Sequence, residues 1–170
     1  MIERLKAWLG ADFSELSGAL VQAEIPLTTS LINRVIAEQL AQTSGHVSAA
    51  VVEPHDGDRL TVHVRPRAAF LPPVQVRLQI AEQPQLPASP VLVVRWSLAG
   101  GLGVLARVAS PALGLFSVLP PGVRVDGDLI GIDLQEVLRQ KGLEWILLFV
   151  RELRVGTSEA GVRIGLRLER

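Results

Sequence analysis

Three histidines, His46, His55 and His63, are the side chains of this 170-residue chain best suited to proton transfer or metal binding near neutral pH. His55 lies in Pro54-His55-Asp56-Gly57-Asp58, where an imidazole and two carboxylates could form a weak metal cluster. The same five residues read more simply as a turn, because Asp-Gly steps turn tightly without a ligand. His63 alternates onto the wet side of a strand, beside Arg65. Glu144 adjoins Trp145 as a candidate carboxylate, but nothing pairs with it. Asp126 and Asp128 flank Gly127 and read as a turn. The chain has no G-x-S-x-G serine, no H-E-x-x-H helix and no cysteine. Thiol catalysis, disulfides and cysteine-bound metals are therefore excluded. No set supplies a nucleophile, a base and an orienting group, so the expectation is a non-catalytic protein without metal or cofactor.

One glycine motif invites a nucleotide. Gly101-Leu102-Gly103-Val104-Leu105-Ala106 fits G-x-G-x-x-A after a strand, with Asp126 further on where a ribose acid would lie. That fingerprint belongs to a parallel βαβ sheet. The strands around it alternate wet and dry and are joined by tight turns, which is the antiparallel pattern. The glycines read better as loosening a strand-to-helix corner.

Charge adds a second clue. Lysine plus arginine equals aspartate plus glutamate, 17 each, which argues against nucleic acid as a partner. The sign is uneven along the chain. Between residues 59 and 125 the bases are Arg59, Arg65, Arg67, Arg77, Arg95, Arg107 and Arg124, and Glu82 is the one acid. All seven are arginine, whose planar fork suits phosphate and carboxylate.

The elements that must position these residues follow from periodicity. Leu31, Ile32, Val35, Ile36 and Leu40 form an amphipathic helical stripe, with Thr28 or Thr29 as its cap and Ser44-Gly45 ending it. His46–Glu53 precedes the first turn. Leu60, Val62 and Val64 then alternate with Thr61, His63 and Arg65. Val74, Val76, Leu78 and Ile80 alternate with Gln75, Arg77 and Gln79, and Leu92, Val94, Trp96 and Leu98 with Arg95 and Ser97. This period of two predicts half-buried strands. A hairpin is expected around Asp126-Gly127-Asp128, and a short helix over 134–141 capped by Asp133. Residues 145–155 read as a long strand, and a turn over 157–161 leads into a last strand. The expected fold class is α+β, a single domain over 1–170. Residues 1–23 form an N-terminal amphipathic segment with Ile2, Leu5, Trp8 and Leu9 at helical spacing. That segment would pack on the domain or lie on a membrane surface.

Residues 98–122, LAGGLGVLARVASPALGLFSVLPPG, carry Arg107 as their one charge. Glycines and prolines break the stretch too often for a membrane span. Ser110-Pro111 divides it into two short helices, 102–109 and 111–119. Leu102, Leu105, Ala109, Leu113 and Phe116 share a face, but Val104, Val108, Leu115 and Val118 make the other faces apolar too. Such helices are buried on all sides or touch something apolar: a core, a second copy of the chain or a lipid.

The run IPLTTSLINRVIAEQL, the strands DRLTVHVRP and PVQVRLQIAE, and the closing LIGIDLQEVLRQKGLEWILLFVRELRVGTSEAGVRIGLRLE together resemble bacterial members of the tubular lipid-binding (TULIP) superfamily. The resemblance spans residues 24–169 and is a pattern of elements without a catalytic motif. It implies a strongly curved antiparallel sheet wrapped around the amphipathic helix and a second apolar helical segment. It also implies a groove that takes a phospholipid or fatty acyl chain. Ile32, Val35, Ile36, Leu40, Trp96, Leu102, Leu105, Leu113, Phe116, Trp145 and Phe149 would line that groove. Arg65, Arg77 or Arg95 would meet an anionic head group. The chain starts without a secretory signal or lipobox cysteine, so the expected site is cytoplasmic, with transient membrane contact. The second expectation, from a different class, is a structural protein that buries the same apolar surface in a homodimer or larger homo-oligomer.

Overall fold

A computed structural model describes residues 20–42, 45–68, 70, 72–99 and 121–169. Period-two sequence becomes antiparallel sheet throughout, and the class is α+β. The strands are β1 (Leu20–Thr28), β2 (Val47–His55), β3 (Arg59–Pro66), β4 (Val74–Glu82), β5 (Val91–Leu98), β6 (Val123–Asp126), β7 (Leu129–Asp133), β8 (Val150–Ser158) and β9 (Gly161–Glu169). Helix α1 (Thr29–Gln42) follows β1 directly, and α2 (Leu134–Gln140) follows β7.

The strands fall into two sheets. One has three strands in the order β1-β9-β8, the other six in the order β2-β3-β4-β5-β7-β6. Cross-strand pairing explains the alternation. On one face of the larger sheet the rows Val52-Val62-Val76-Leu98 and Pro54-Leu60-Leu78-Trp96 run straight across four strands. Ile80-Val94-Ile130-Val125 forms a third such row. The opposite face carries Glu53-Thr61-Arg77-Ser97 and His55-Arg59-Gln79-Arg95.

Two hairpins are as expected. His55 pairs with Arg59 across the Asp56-Gly57-Asp58 turn, where Gly57 and Asp58 take φ of +77° and +60°. Asp126 pairs with Leu129 across Gly127-Asp128, with Gly127 at φ +58°. Asp133 caps α2 as predicted, its carboxylate accepting the Glu136 N–H at 3.1 Å. At the start of α1 the Thr28 hydroxyl accepts the Leu31 N–H at 3.3 Å.

Two expectations change. The long strand read over 145–155 is instead a 3₁₀ turn over Glu144–Leu148 followed by β8 from Val150. Glu144-Trp145-Ile146-Leu147-Leu148 lacks alternation, so nothing holds it extended. β1, unforeseen, pairs with β9 along its whole length. Val21, Ala23, Ile25 and Leu27 do alternate with Gln22, Glu24 and Pro26, and Pro26 obscured the pattern. A proline is tolerated there because β1 is an edge strand.

The core of the described residues is thin. Leu92, Val94 and Val150 are its buried apolar side chains, with 8%, 7% and 2% of their surface exposed. Most of the apolar rows on the larger sheet are only half-buried.

Candidate functional site: two faces of the larger sheet

Helix α1 lies beside edge strand β2 of the larger sheet. The Asn33 side chain fastens it there. Its Oδ1 accepts the Val52 N–H at 2.7 Å and its Nδ2 donates to the Val52 carbonyl at 2.9 Å. One amide thus satisfies both backbone groups that an edge strand leaves open. Of the predicted groove residues, Ile32, Ile36 and Leu40 are half-buried, whereas Val35 is 48% exposed. Trp96 sits in the apolar row beside Leu78, and its indole N–H donates to the Gly127 carbonyl at 3.1 Å. Trp145 and Phe149 meet edge to face, ring centroids 6.4 Å apart, in and just after the 3₁₀ turn. Leu148 beside them is 77% exposed. Leu102, Leu105, Leu113 and Phe116, the two short helices, the glycine motif and residues 1–19 of the N-terminal segment lie outside the described residues, while residues 20–23 of that segment, expected to be helical, belong to strand β1.

The polar face gathers different residues. Arg77 and Arg95 stand in adjacent rows of this face, on the side opposite Trp96. A strand turns alternate side chains to opposite faces, so neighbours such as Arg95 and Trp96 cannot share one. Arg65 lies on the Arg77 side, yet six residues along β3 from Arg59, about 20 Å at 3.4 Å per residue. The arginine that joins Arg77 and Arg95 is Arg59. In the pairing register it stands one strand beyond Gln79 from Arg95. Its place was legible from alternation with Leu60 but masked by its position at the turn.

These three arginines line an open basin of about 670 Å³ with His55, Asp56, Thr61, Gln79, Ser97 and Glu159. Arg59 Nε donates to the Asp56 carbonyl at 3.1 Å, and Arg95 Nε faces the Asp128 carboxylate at 3.3 Å. Arg77 makes no ion pair or side-chain hydrogen bond among the described residues.

The histidine turn does not build a metal site. His55 Nε2 bonds the Thr61 hydroxyl at 2.8 Å, while Asp58 turns to accept the Thr157 N–H at 3.4 Å. Among the described residues no group of three or more His, Asp or Glu side chains could hold a metal ion. His63 bonds Glu53 at 3.2 Å across β2 and β3. Glu144 is exposed at the start of the 3₁₀ turn, and Asp126 closes the β6–β7 hairpin. Among the described residues no helix is long and apolar enough to cross a membrane.

Comparison with protein-family models, with curated proteins and with solved structures finds no match to this chain.

Proposed function

We propose that this protein is a non-catalytic lipid-binding module that holds an acyl chain against the apolar face of its larger sheet. In this reading the sheet curves around α1, as the resemblance to tubular lipid-binding proteins implies. The observation that carries it is the set of apolar rows through Val62, Val76, Leu78 and Trp96, which the described elements leave half-buried. Covering such surface stabilises by about 25 cal/mol per Å², so an acyl chain laid along the rows gains binding energy without needing a polar contact. Ile32, Ile36 and Leu40 of α1 and the Trp145–Phe149 pair supply further apolar contacts. The chain would work at or near a membrane surface rather than across it.

Native mass spectrometry of the purified protein, paired with a solvent extract of the denatured protein, tests this. The expected result is lipid recovered at about one molecule per chain. Absence of lipid, together with no uptake of a fluorescent fatty acid, overturns it.

A second reading has its own support. Among the described residues β1 pairs with β9 alone, which leaves its other edge without a strand partner there along nine residues, and Val21 and Ile25 are 48% and 43% exposed. An open strand edge with apolar neighbours is a pairing surface for a second copy. Light scattering at micromolar concentration separates the readings: a monomer excludes the homo-oligomer.

A further inference from the structure

We infer that the arginine basin on the polar face is a phosphate site, formed by Arg77 with Arg59 and Arg95 and separate from the acyl surface. It lies on the opposite side of the sheet and does not rest on the lipid reading.

The register sets the geometry. Thr61-Arg77-Ser97 and Arg59-Gln79-Arg95 are adjacent rows across the same three strands. Strands lie about 5 Å apart and same-face rows about 7 Å apart, so the three arginines form a triangle with Arg77 at its apex and Gln79 midway along the Arg59–Arg95 side. Side chains rising from its corners can converge on one ligand. Their approach from three strands surrounds a tetrahedral anion, whereas a planar carboxylate is filled by one guanidinium fork. The Ser97 hydroxyl beside Arg77 supplies a neutral donor, and the Thr61 hydroxyl on the other side adds a second in the tautomer where His55 Nε2–H donates to it.

The counter-charges decide where the anion sits. Asp128 already partners Arg95, and Arg59 is turned toward the Asp56 carbonyl. Asp56 and Glu159 lie in the turns after β2 and β8, at the Arg59 end of the basin. An anion is repelled there and is held at the Arg77 end, where among the described residues no carboxylate pairs with the guanidinium. The ligand of this site is a phosphate or phosphomonoester, which presents three free oxygens to the guanidinium and hydroxyl donors where a diester presents two. It could be a soluble compound or the head group of a phosphomonoester lipid.

The test uses the full chain in two arms. Calorimetric titration with inorganic phosphate and with glycerol 3-phosphate probes soluble ligands. Co-sedimentation with phosphatidylcholine vesicles, with and without phosphatidic acid, probes the head group. Saturable binding in either arm is expected, and which arm responds identifies the source. Arg77→Ala should weaken binding at least tenfold and Arg77→Lys less, while Arg151→Ala, on an exposed arginine outside the basin, should leave it unchanged. Circular dichroism checks that each variant is folded. If neither arm saturates at millimolar ligand, or if folded Arg77→Ala binds like Arg151→Ala, the site is refuted. Lipid recovery by native mass spectrometry should be the same in Arg77→Ala, which keeps failure of this site distinct from failure of the acyl surface.

Discussion

Gln83 and Val155, 72 residues apart, are joined by two hydrogen bonds: Gln83 Oε1 accepts the Val155 N–H at 2.9 Å, and Gln83 Nε2 donates to the Val155 carbonyl at 2.7 Å. The amide takes the place of a neighbouring strand on the edge of β8, just as Asn33 does on β2. Close by, Thr157 donates its hydroxyl to the His55 carbonyl at 2.6 Å, and Asp58 accepts the Thr157 N–H. The smaller sheet is thus attached to the larger through its β8 edge by polar groups, several of them part-buried.

Gln83→Ala leaves both Val155 groups without a protein partner. Each part-buried group so stranded costs about 1–3 kcal/mol. The expected outcome is a lower urea midpoint with an unchanged slope, which equilibrium denaturation measures. Gln83→Glu should also destabilise, because a carboxylate cannot donate to the Val155 carbonyl.

Asn33 gives a sharper contrast. Asn33→Asp keeps an acceptor for the Val52 N–H and loses the donor to its carbonyl, whereas Asn33→Ala loses both. Hydrogen exchange at the Val52 amide should accelerate strongly in the alanine variant and much less in the aspartate one. Equal acceleration in both would show that the amide does not fasten α1 to β2.

Gly161 is confined by its neighbours. It takes φ +150°, and a Cβ there would lie 2.2 Å from the Leu27 carbonyl oxygen of β1. Gly161→Ala should therefore cost more than about 2 kcal/mol, through both strain and overlap. Gly127 also has positive φ, but nothing lies within 4 Å of its missing Cβ. Gly127→Ala should cost only the left-handed penalty of about 1–2 kcal/mol. Thermal unfolding of the two variants side by side checks the order.

Asp133 begins a helix of only seven residues, so its cap matters more than propensity does. Asp133→Ala should lower stability by about 0.5–2 kcal/mol, and Asp133→Asn should retain most of it. A loss in the asparagine variant equal to that in alanine would remove the cap from the account of α2.

Local pattern alone determined a good deal of this protein. Alternation in Leu60–Val64, Val74–Ile80 and Val162–Leu168 specifies strands, because a pleated chain turns every second side chain to the same face. Thr28, Asp133 and the Asp-Gly turns mark where elements start and reverse, through hydrogen bonds that span only a few residues. The same alternation already separates Arg77 from Trp96, although a list of apolar and basic residues sets them in one site. What only tertiary structure decided depends on partners far apart in the chain. The pairing of β1 needs β9, the attachment of one sheet to the other needs Gln83 to meet Val155, and the arginine triangle needs the register of three strands. Residue type and spacing within one strand carry no information about register against the next. Arg59 therefore joins Arg77 and Arg95, and Arg65 stands apart from them, only once β3, β4 and β5 are paired.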